Sequence, residues 1–417
     1  MPEHLPFLAE SGNSETTVSR VQPEQAGRRA GALDRWLLSR IARRAMGSAP
    51  ARLVLWDGSE ERSSQDPPAF TVVFGDRRTL FRLAMDPDHH FGDAFASGAL
   101  EVRGDLVAAL EAVFRAREAA STNRSVFRRL ALPRLGSSRS DIHHHYDLGN
   151  DFYRLWLDRE MLYTCAYYPS PSVDLDAAQQ AKMEHVCRKL ALRPGETVVE
   201  AGCGWGAFAL YMARRHGVTV KAYNLSREQV RYAHRRAAEE GLADRVAFIE
   251  DDYRNIRGRF DAFVSVGMLE HVGLANYRTL GAVIDRSLDD KHGRGLLHFI
   301  GRNRPAPLNA WIRDRIFPGA YPPTLAEVTG QVLAPFDFAV LDVENLRLHY
   351  ARTLEHWRTR FEAAATTVSE RHGSEFMRAW RLYLAGSEAG FRAGTLQLFQ
   401  VRFARGCDNG VPWTRPV

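Results

Sequence analysis

Lysine is nearly missing from this chain: only Lys182, Lys189, Lys221 and Lys291 occur among 56 basic residues, so the cationic side chains are almost all arginines. Cysteine is as scarce. Cys165, Cys187, Cys203 and Cys407 are the only four, and none falls in a C-x-x-C pair, which argues against a disulfide framework and a thiol zinc cluster. No uninterrupted apolar run approaches the roughly 18 residues of a membrane span. The opening MPEHLPFLAESGNSE is acidic and polar where a secretory leader needs a basic flank and an apolar block, so a cytoplasmic protein with reduced thiols is expected. A phosphate loop of the Gly-Lys-Ser/Thr type is absent as well, which excludes the common nucleotide-triphosphate class.

What is present is an ordinary globular composition: 417 residues, 45% hydrophobic, 25% charged and 10% aromatic, enough for two or three domains. The formal net charge of +6 fits an anionic partner such as nucleic acid or a phospholipid surface, and equally a genome that favours arginine codons.

Residues 1–30 carry no periodicity and read as a loose tail. In the segment that follows, Leu33, Trp36, Leu37 and Ile41 recur at helical spacing while Arg35, Arg40, Arg43 and Arg44 take the other faces; this basic amphipathic helix either packs on its own domain or lies on a membrane. Arg52–Trp56 and Phe70–Phe74 read as strands. Asp105 is placed to cap a helix whose buried stripe is Leu106, Ala109, Leu110, Val113 and Phe114. Residues 31–125 thus form a small α+β accessory domain, 126–140 a linker and 141–417 the catalytic domain. There, strands Thr197–Ala201, Val218–Asn224, Val246–Glu250, Phe260–Val266 and Gly295–Ile300 alternate with helical patterns, and Phe336–Val343 and Leu396–Ala404 follow. Such alternation predicts a doubly wound, mostly parallel seven-stranded sheet of Rossmann-like α/β type.

The strongest local signal is Glu200-Ala201-Gly202-Cys203-Gly204-Trp205-Gly206 between the first of these strands and a helix. Glycines at a strand-to-helix turn let backbone N–H groups approach a nucleotide-like ligand. A dinucleotide fingerprint needs G-x-G-x-x-G and an acid on the ribose, whereas this loop is G-x-G-x-G and the second strand ends in Asn224-Leu225-Ser226, so NAD is disfavoured. The acid Glu200 before Gly-x-Gly-x-Gly instead resembles motif I of the class I S-adenosyl-L-methionine (SAM) methyltransferases.

Further segments sharpen this. His145-Tyr146-Asp147-Leu148-Gly149-Asn150, Tyr163-Thr164-Cys165-Ala166-Tyr167, Ala178–Lys182, Asp252-Tyr253-Arg254, Ser265–Gly273, Leu297–Gly301, Gln397–Gln400 and Phe403–Gly406 resemble, over about residues 140–410, the cyclopropane-fatty-acyl-phospholipid synthases and their mycolic-acid relatives. The resemblance implies SAM-dependent methylation of a cis double bond in a lipid acyl chain, followed by proton loss and ring closure. It also implies a bicarbonate ion as base, held by Cys165, Glu270, His298, the backbone of Ile300, and Tyr350. A protonated His298 and the Tyr350 hydroxyl would donate to that anion, while Glu270 accepts from its O–H. By the same resemblance Tyr146, Tyr163 and Thr164 close over SAM, Gly202, Gly204 and Gly206 flank its methionine part, Asn224, Leu225, Ser226 and Gln229 line the ribose side, and Asp252 and Tyr253 meet the adenine.

His143, His144 and His145 in a row are read as motif residues and not as a metal site, and no metal is expected. Cys203 is a small packing residue, and Cys187 and Cys407 are structural. Trp311, Ile312, Ile316 and Phe317, bracketed by prolines, suit either an acyl-chain tunnel or a plain core helix. The loop has Glu200-Ala201 where the family often has Asp-Ile, and relatives that stop before ring closure make methylene- or methyl-branched chains, while others methylate small amines. The expected partner is the phospholipid surface on the inner face of a membrane, with a homodimer implied by resemblance alone and no nucleic acid.

Overall fold

The computed structural model describes residues 29–122 and 148–414. Tyr146, the three consecutive histidines, the linker and nearly all of the tail lie outside the described residues.

The first part builds a four-stranded sheet from β1 (Ala51–Val54), β2 (Glu60–Arg62), β3 (Phe70–Phe74) and β4 (Leu100–Arg103), in the order β2-β1-β3-β4. β1 and β3 are parallel and the edge strands antiparallel to them. Asp76 caps the helix Arg77–Met85 by accepting from Thr79 N–H at 2.8 Å, and Asp105 accepts from Ala108 N–H at 3.0 Å at the start of Leu106–Thr122. The latter helix buries Val107, Ala109 and Ala116, while the expected Leu106, Leu110, Val113 and Phe114 are only partly covered.

The helix Ala32–Ile41 turns differently from the apolar stripe that its sequence suggests. It buries Asp34, Leu37, Leu38 and Ile41 and leaves Leu33 and Trp36 50% and 51% exposed. Asp34 decides the rotation: its carboxylate accepts from Gly31 N–H at 2.9 Å and from Arg77 Nε at 2.7 Å, so an acid is anchored inward.

The second part is a seven-stranded sheet in the order β10-β11-β9-β8-β5-β6-β7, formed by β5 (Thr197–Ala201), β6 (Thr219–Asn224), β7 (Val246–Glu250), β8 (Ala262–Val266), β9 (Arg294–Gly301), β10 (Phe338–Asn345) and β11 (Gln397–Arg405). β5 to β9 run parallel, and β10 and β11 join antiparallel. β5 and β8 are buried along nearly their whole length, as the centre of a sheet with both faces covered requires. The strand order reverses direction at β5, so a crevice opens at the carboxyl ends of the central strands. This is the doubly wound, mostly parallel seven-stranded sheet that the strand–helix alternation predicts. Among the described residues no helix is long and apolar enough to cross a membrane, and no cluster of metal-ligating side chains occurs.

The two parts share an apolar core, because Phe95 of the helix Pro87–Ser97 joins one cluster with Trp380 and Leu384 of the helix Ser374–Ala393. Arg378 lies over the Phe95 ring and donates from Nε to the Phe95 carbonyl at 2.9 Å. The proline-bracketed insertion reaches the same place. Its helix Ala310–Arg315 sets Trp311 against Gly92, where any Cβ would lie 2.3 Å from the indole, and Trp311 Nε1 donates to Asp93 at 3.0 Å.

Candidate active site at the carboxyl ends of the parallel strands

β5 delivers Glu200 and then the glycine loop. Gly202, Gly204 and Gly206 have φ of +85°, +54° and +84°, which a side chain resists. A Cβ on Gly202 would lie 2.9 Å from Met268, and one on Gly206 2.6 Å from Phe248, whereas the space before Gly204 is open. From the end of β6, Asn224 Nδ2 donates to the Gly204 carbonyl at 3.1 Å and to Gln229 Oε1 at 2.7 Å. Ser226 caps the helix Arg227–Glu239 through Gln229 N–H. Gly202, Asn224, Leu225, Asp252, Tyr253 and Met268 line one cavity against this loop, joined by Asp251, which lies just before the Asp252-Tyr253-Arg254 motif. The Asp252 carboxylate is bridged by Arg254 at 2.9 and 2.7 Å.

On the other side of the strand ends runs the segment Tyr163-Thr164-Cys165. It is fastened at each residue. Gln179 Nε2 donates to the Thr164 carbonyl at 2.8 Å, Lys182 Nζ to Thr164 Oγ1 at 2.9 Å, and Ala166 N–H to Thr353 Oγ1 at 3.0 Å. The Tyr163 ring sits against Trp156 and Trp357 at 5.2 and 5.3 Å, and its hydroxyl shares a 2.6 Å hydrogen bond with that of Tyr383. The segment rests on the end of β8, since a Cβ on Gly267 would lie 2.9 Å from Thr164 Cγ2.

Glu270, His298 and Ile300 meet at β9, and Tyr350 lies in the helix that follows β10. Glu270 lies in the short helix Leu269–Val272 and accepts from Ile300 N–H through Oε1. His298 and Ile300 are on β9, opposite Gln400 and Leu398 of β11, and Leu398 accepts from Leu346 N–H at 2.8 Å where the helix Arg347–Ala363 begins. Tyr350 is in its first turn, packed on Phe391 at 4.6 Å, one turn before the Thr353 that holds the Cys165 segment.

Burial sets the electrostatics. It raises Glu270 to about 7 against the bond from Ile300, and raises Glu200 to about 8 against the pull of Lys182. It lowers Lys182 to about 8, countered by Asp158, Cys165 and Glu200. The Cys165 thiol is pushed far up by burial, stays protonated and donates to the Ala166 carbonyl at 3.1 Å. His298 corrects an expectation. Burial, reinforced by Lys182 and Lys189, pushes its pKa well below the usual histidine value, so the imidazole is neutral and not the protonated donor that the sequence reading supposes. Its Nδ1 meets Gln400 Nε2 at 3.0 Å, while its Nε2 and the Oε2 of Glu270 are buried with no hydrogen-bond partner among the described residues. Lys182, Gln179, Thr353 and Gln400 were visible only as polar residues within otherwise apolar or motif segments.

These residues match a known profile: that of mycolic acid cyclopropane synthetase fits residues 134–401. The chain belongs to that family. Residues 40–125 match a domain of unknown function (DUF7884). A probable fatty acid methyltransferase of Pseudomonas putida is 36% identical over 379 residues, covering 88% of this chain and 95% of its own length. The cyclopropane-fatty-acyl-phospholipid synthase of Escherichia coli (strain K12) is 42% identical over 64% of this chain and 68% of its own. The crystal structure of the mycolic acid cyclopropane synthase CmaA1 complexed with SAH and CTAB superposes with a TM-score of 0.61 at 28% identity, over 65% of this chain and 99% of that one. This member of the family is a SAM-dependent methyltransferase.

Proposed function

We propose that the protein transfers the SAM methyl group to the cis double bond of a phospholipid-bound acyl chain and closes the product to a cyclopropane. The observation that carries this reading is a pair of buried atoms at β9 with no partner among the described residues, His298 Nε2 and Glu270 Oε2. Buried polar atoms without partners are costly and mark a place built for a ligand. A neutral imidazole N–H, a carboxyl, the Tyr350 hydroxyl and the protonated Cys165 form a donor and acceptor set that suits a small oxyanion. Cys165, Glu270, His298, the Ile300 backbone and Tyr350 would hold bicarbonate, which supplies a base when bound.

The chain's own residues prepare the rest. An alkene is a weak nucleophile, so the C–S bond of SAM breaks usefully only when its methyl carbon is aligned with the double bond in a dry pocket. Asn224, Leu225, Ser226, Gln229, Asp252 and Tyr253 would hold the nucleoside, and Glu200 with Gly202, Gly204 and Gly206 the methionine end. Tyr163 and Thr164 would cover the sulfonium. Once the new C–C bond leaves a cation on the neighbouring carbon, the faces of Tyr163, Tyr350 and Trp357, which lie within 6 Å of one another in sequence of contact, favour it. Loss of a proton from the new methyl then lets the second C–C bond close.

The acyl substrate would be met at a membrane surface. Leu33 and Trp36 face outward, Arg40 lies 5.6 Å over the Trp36 ring, and Arg43 and Arg44 are exposed just beyond. Such a basic apolar stripe suits anionic phospholipid headgroups. A second reading, a methyl- or methylene-branched product from the same site, is favoured by the fatty acid methyltransferase relative that matches nearly the whole chain. Incubation with SAM and cis-monounsaturated phospholipid vesicles, followed by proton NMR of the released acyl chains, separates the two: upfield ring protons for the first, olefinic methylene or branch-methyl protons for the second.

A further inference from the structure

Gln400 lies in the middle of β11, a strand buried along Gln397–Ala404, and is itself fully buried, yet it carries a polar amide where neighbours are Phe399 and Val401. In the antiparallel register it stands directly opposite His298, so the two side chains share one face of the sheet. Its Nε2 lies 3.0 Å from His298 Nδ1, and its Oε1 has no partner. An amide N–H can only donate, so the Nδ1 it meets is the lone-pair nitrogen. A neutral imidazole has a single N–H, and that proton is then on Nε2, the buried atom without a partner among the described residues.

We propose that Gln400 is a positioning residue: its amide locks His298 into the Nε2–H form, so that the imidazole presents a hydrogen-bond donor to the anion site. This rests on the oxyanion reading given above. Glu270, in the helix Leu269–Val272, completes the geometry beside that strand, since it is tied to Ile300, two residues beyond His298. With the opposite tautomer the imidazole would turn a lone pair toward a negatively charged ligand, repelling what it should hold. Gln400 touches neither SAM nor acyl chain in this account and acts only through His298.

The test uses full-length protein with 15N-labelled histidine, in which the His298 signal is assigned by its loss in H298A and its tautomer read from long-range proton–nitrogen correlations. The expected wild-type result is protonated Nε2 with bare Nδ1. In Q400M, of similar volume and without a donor, His298 is expected to populate the Nδ1–H form, with kcat down on the order of a hundredfold and the KM for SAM unchanged. Adding Q400M to H298A should cost nothing further, which a merely structural role for Gln400 would not produce. Protonated Nδ1 in the wild type overturns the proposal with no variant needed, and so does Q400M or, if that fails to fold, Q400L with wild-type tautomer and wild-type kcat. Turnover in carbonate-depleted buffer is measured alongside: independence from added bicarbonate would refute the oxyanion reading, while the tautomer measurement would still decide the role of Gln400.

Discussion

Ile300 donates its backbone N–H to one carboxylate oxygen of Glu270 and leaves the other oxygen buried with no partner among the described residues. A carboxyl fixed through one oxygen is aimed through the other. Glu270→Gln keeps the shape and the bond from Ile300 but removes the full acceptor, so turnover should fall on the order of a hundredfold. SAM affinity, measured by calorimetry, should stay within about twofold, because the cofactor cavity is lined by other residues. Turnover equal to wild type would contradict the role given to Glu270.

The same carboxyl links stability to pH. Its folded-state pKa is raised by burial from 4.5 to about 7, so it favours the fold in its neutral form. That stability is fully present below the unfolded value and is lost as pH rises through the folded one. The loss is on the order of 3 kcal/mol between pH 4.5 and 8. Thermal melts across this window should therefore show Glu270→Gln gaining on the wild type as pH increases.

The glycine loop separates folding from binding. Gly206→Ala meets Phe248 and Ala233 at φ +84° and should cost roughly 2–4 kcal/mol of stability. Gly204→Ala meets open space, so it should cost only about 1 kcal/mol while weakening SAM binding more than about tenfold, because on the proposed reading its methyl would enter the space left for the cofactor. Chemical denaturation and SAM titration on the two variants check both halves.

Membrane docking should respond to charge and to the outward stripe. Vesicle binding is expected to rise with anionic lipid and fall with salt, and Leu33→Ala with Trp36→Ala should weaken it by at least about tenfold. Cosedimentation that is indifferent to lipid charge, salt and both substitutions would remove this surface from the account.

How far the sequence could be read follows from which forces act locally. The central β5 and β8 stand out because buried parallel strands are mostly apolar along their length, and the glycine loop because its positive φ values favour glycine. β2 was missed, since Glu60-Glu61-Arg62 is an edge strand whose residues face water and carry no alternation. The rotation of the helix Ala32–Ile41 depends on the pairing of Asp34 with Arg77, 43 residues away, which no local period reveals. In the site, Glu270 and His298 were legible from their motifs. The charge of His298 was not, because it is set by burial and by lysines from other elements. Gln400 becomes meaningful only once the register of β9 and β11 is known.

The most direct test of the central claim is to supply SAM with a deuterated methyl group and cis-monounsaturated phospholipid vesicles, and to examine the released acyl chain by mass spectrometry and NMR. The account predicts a saturated chain with upfield ring protons at the former double bond and two of the three deuterium atoms retained, the third lost as the ring closes. A branched chain in place of the ring, methylene-branched with two deuterium atoms or methyl-branched with three, or no added carbon in a protein that binds SAM, would contradict it.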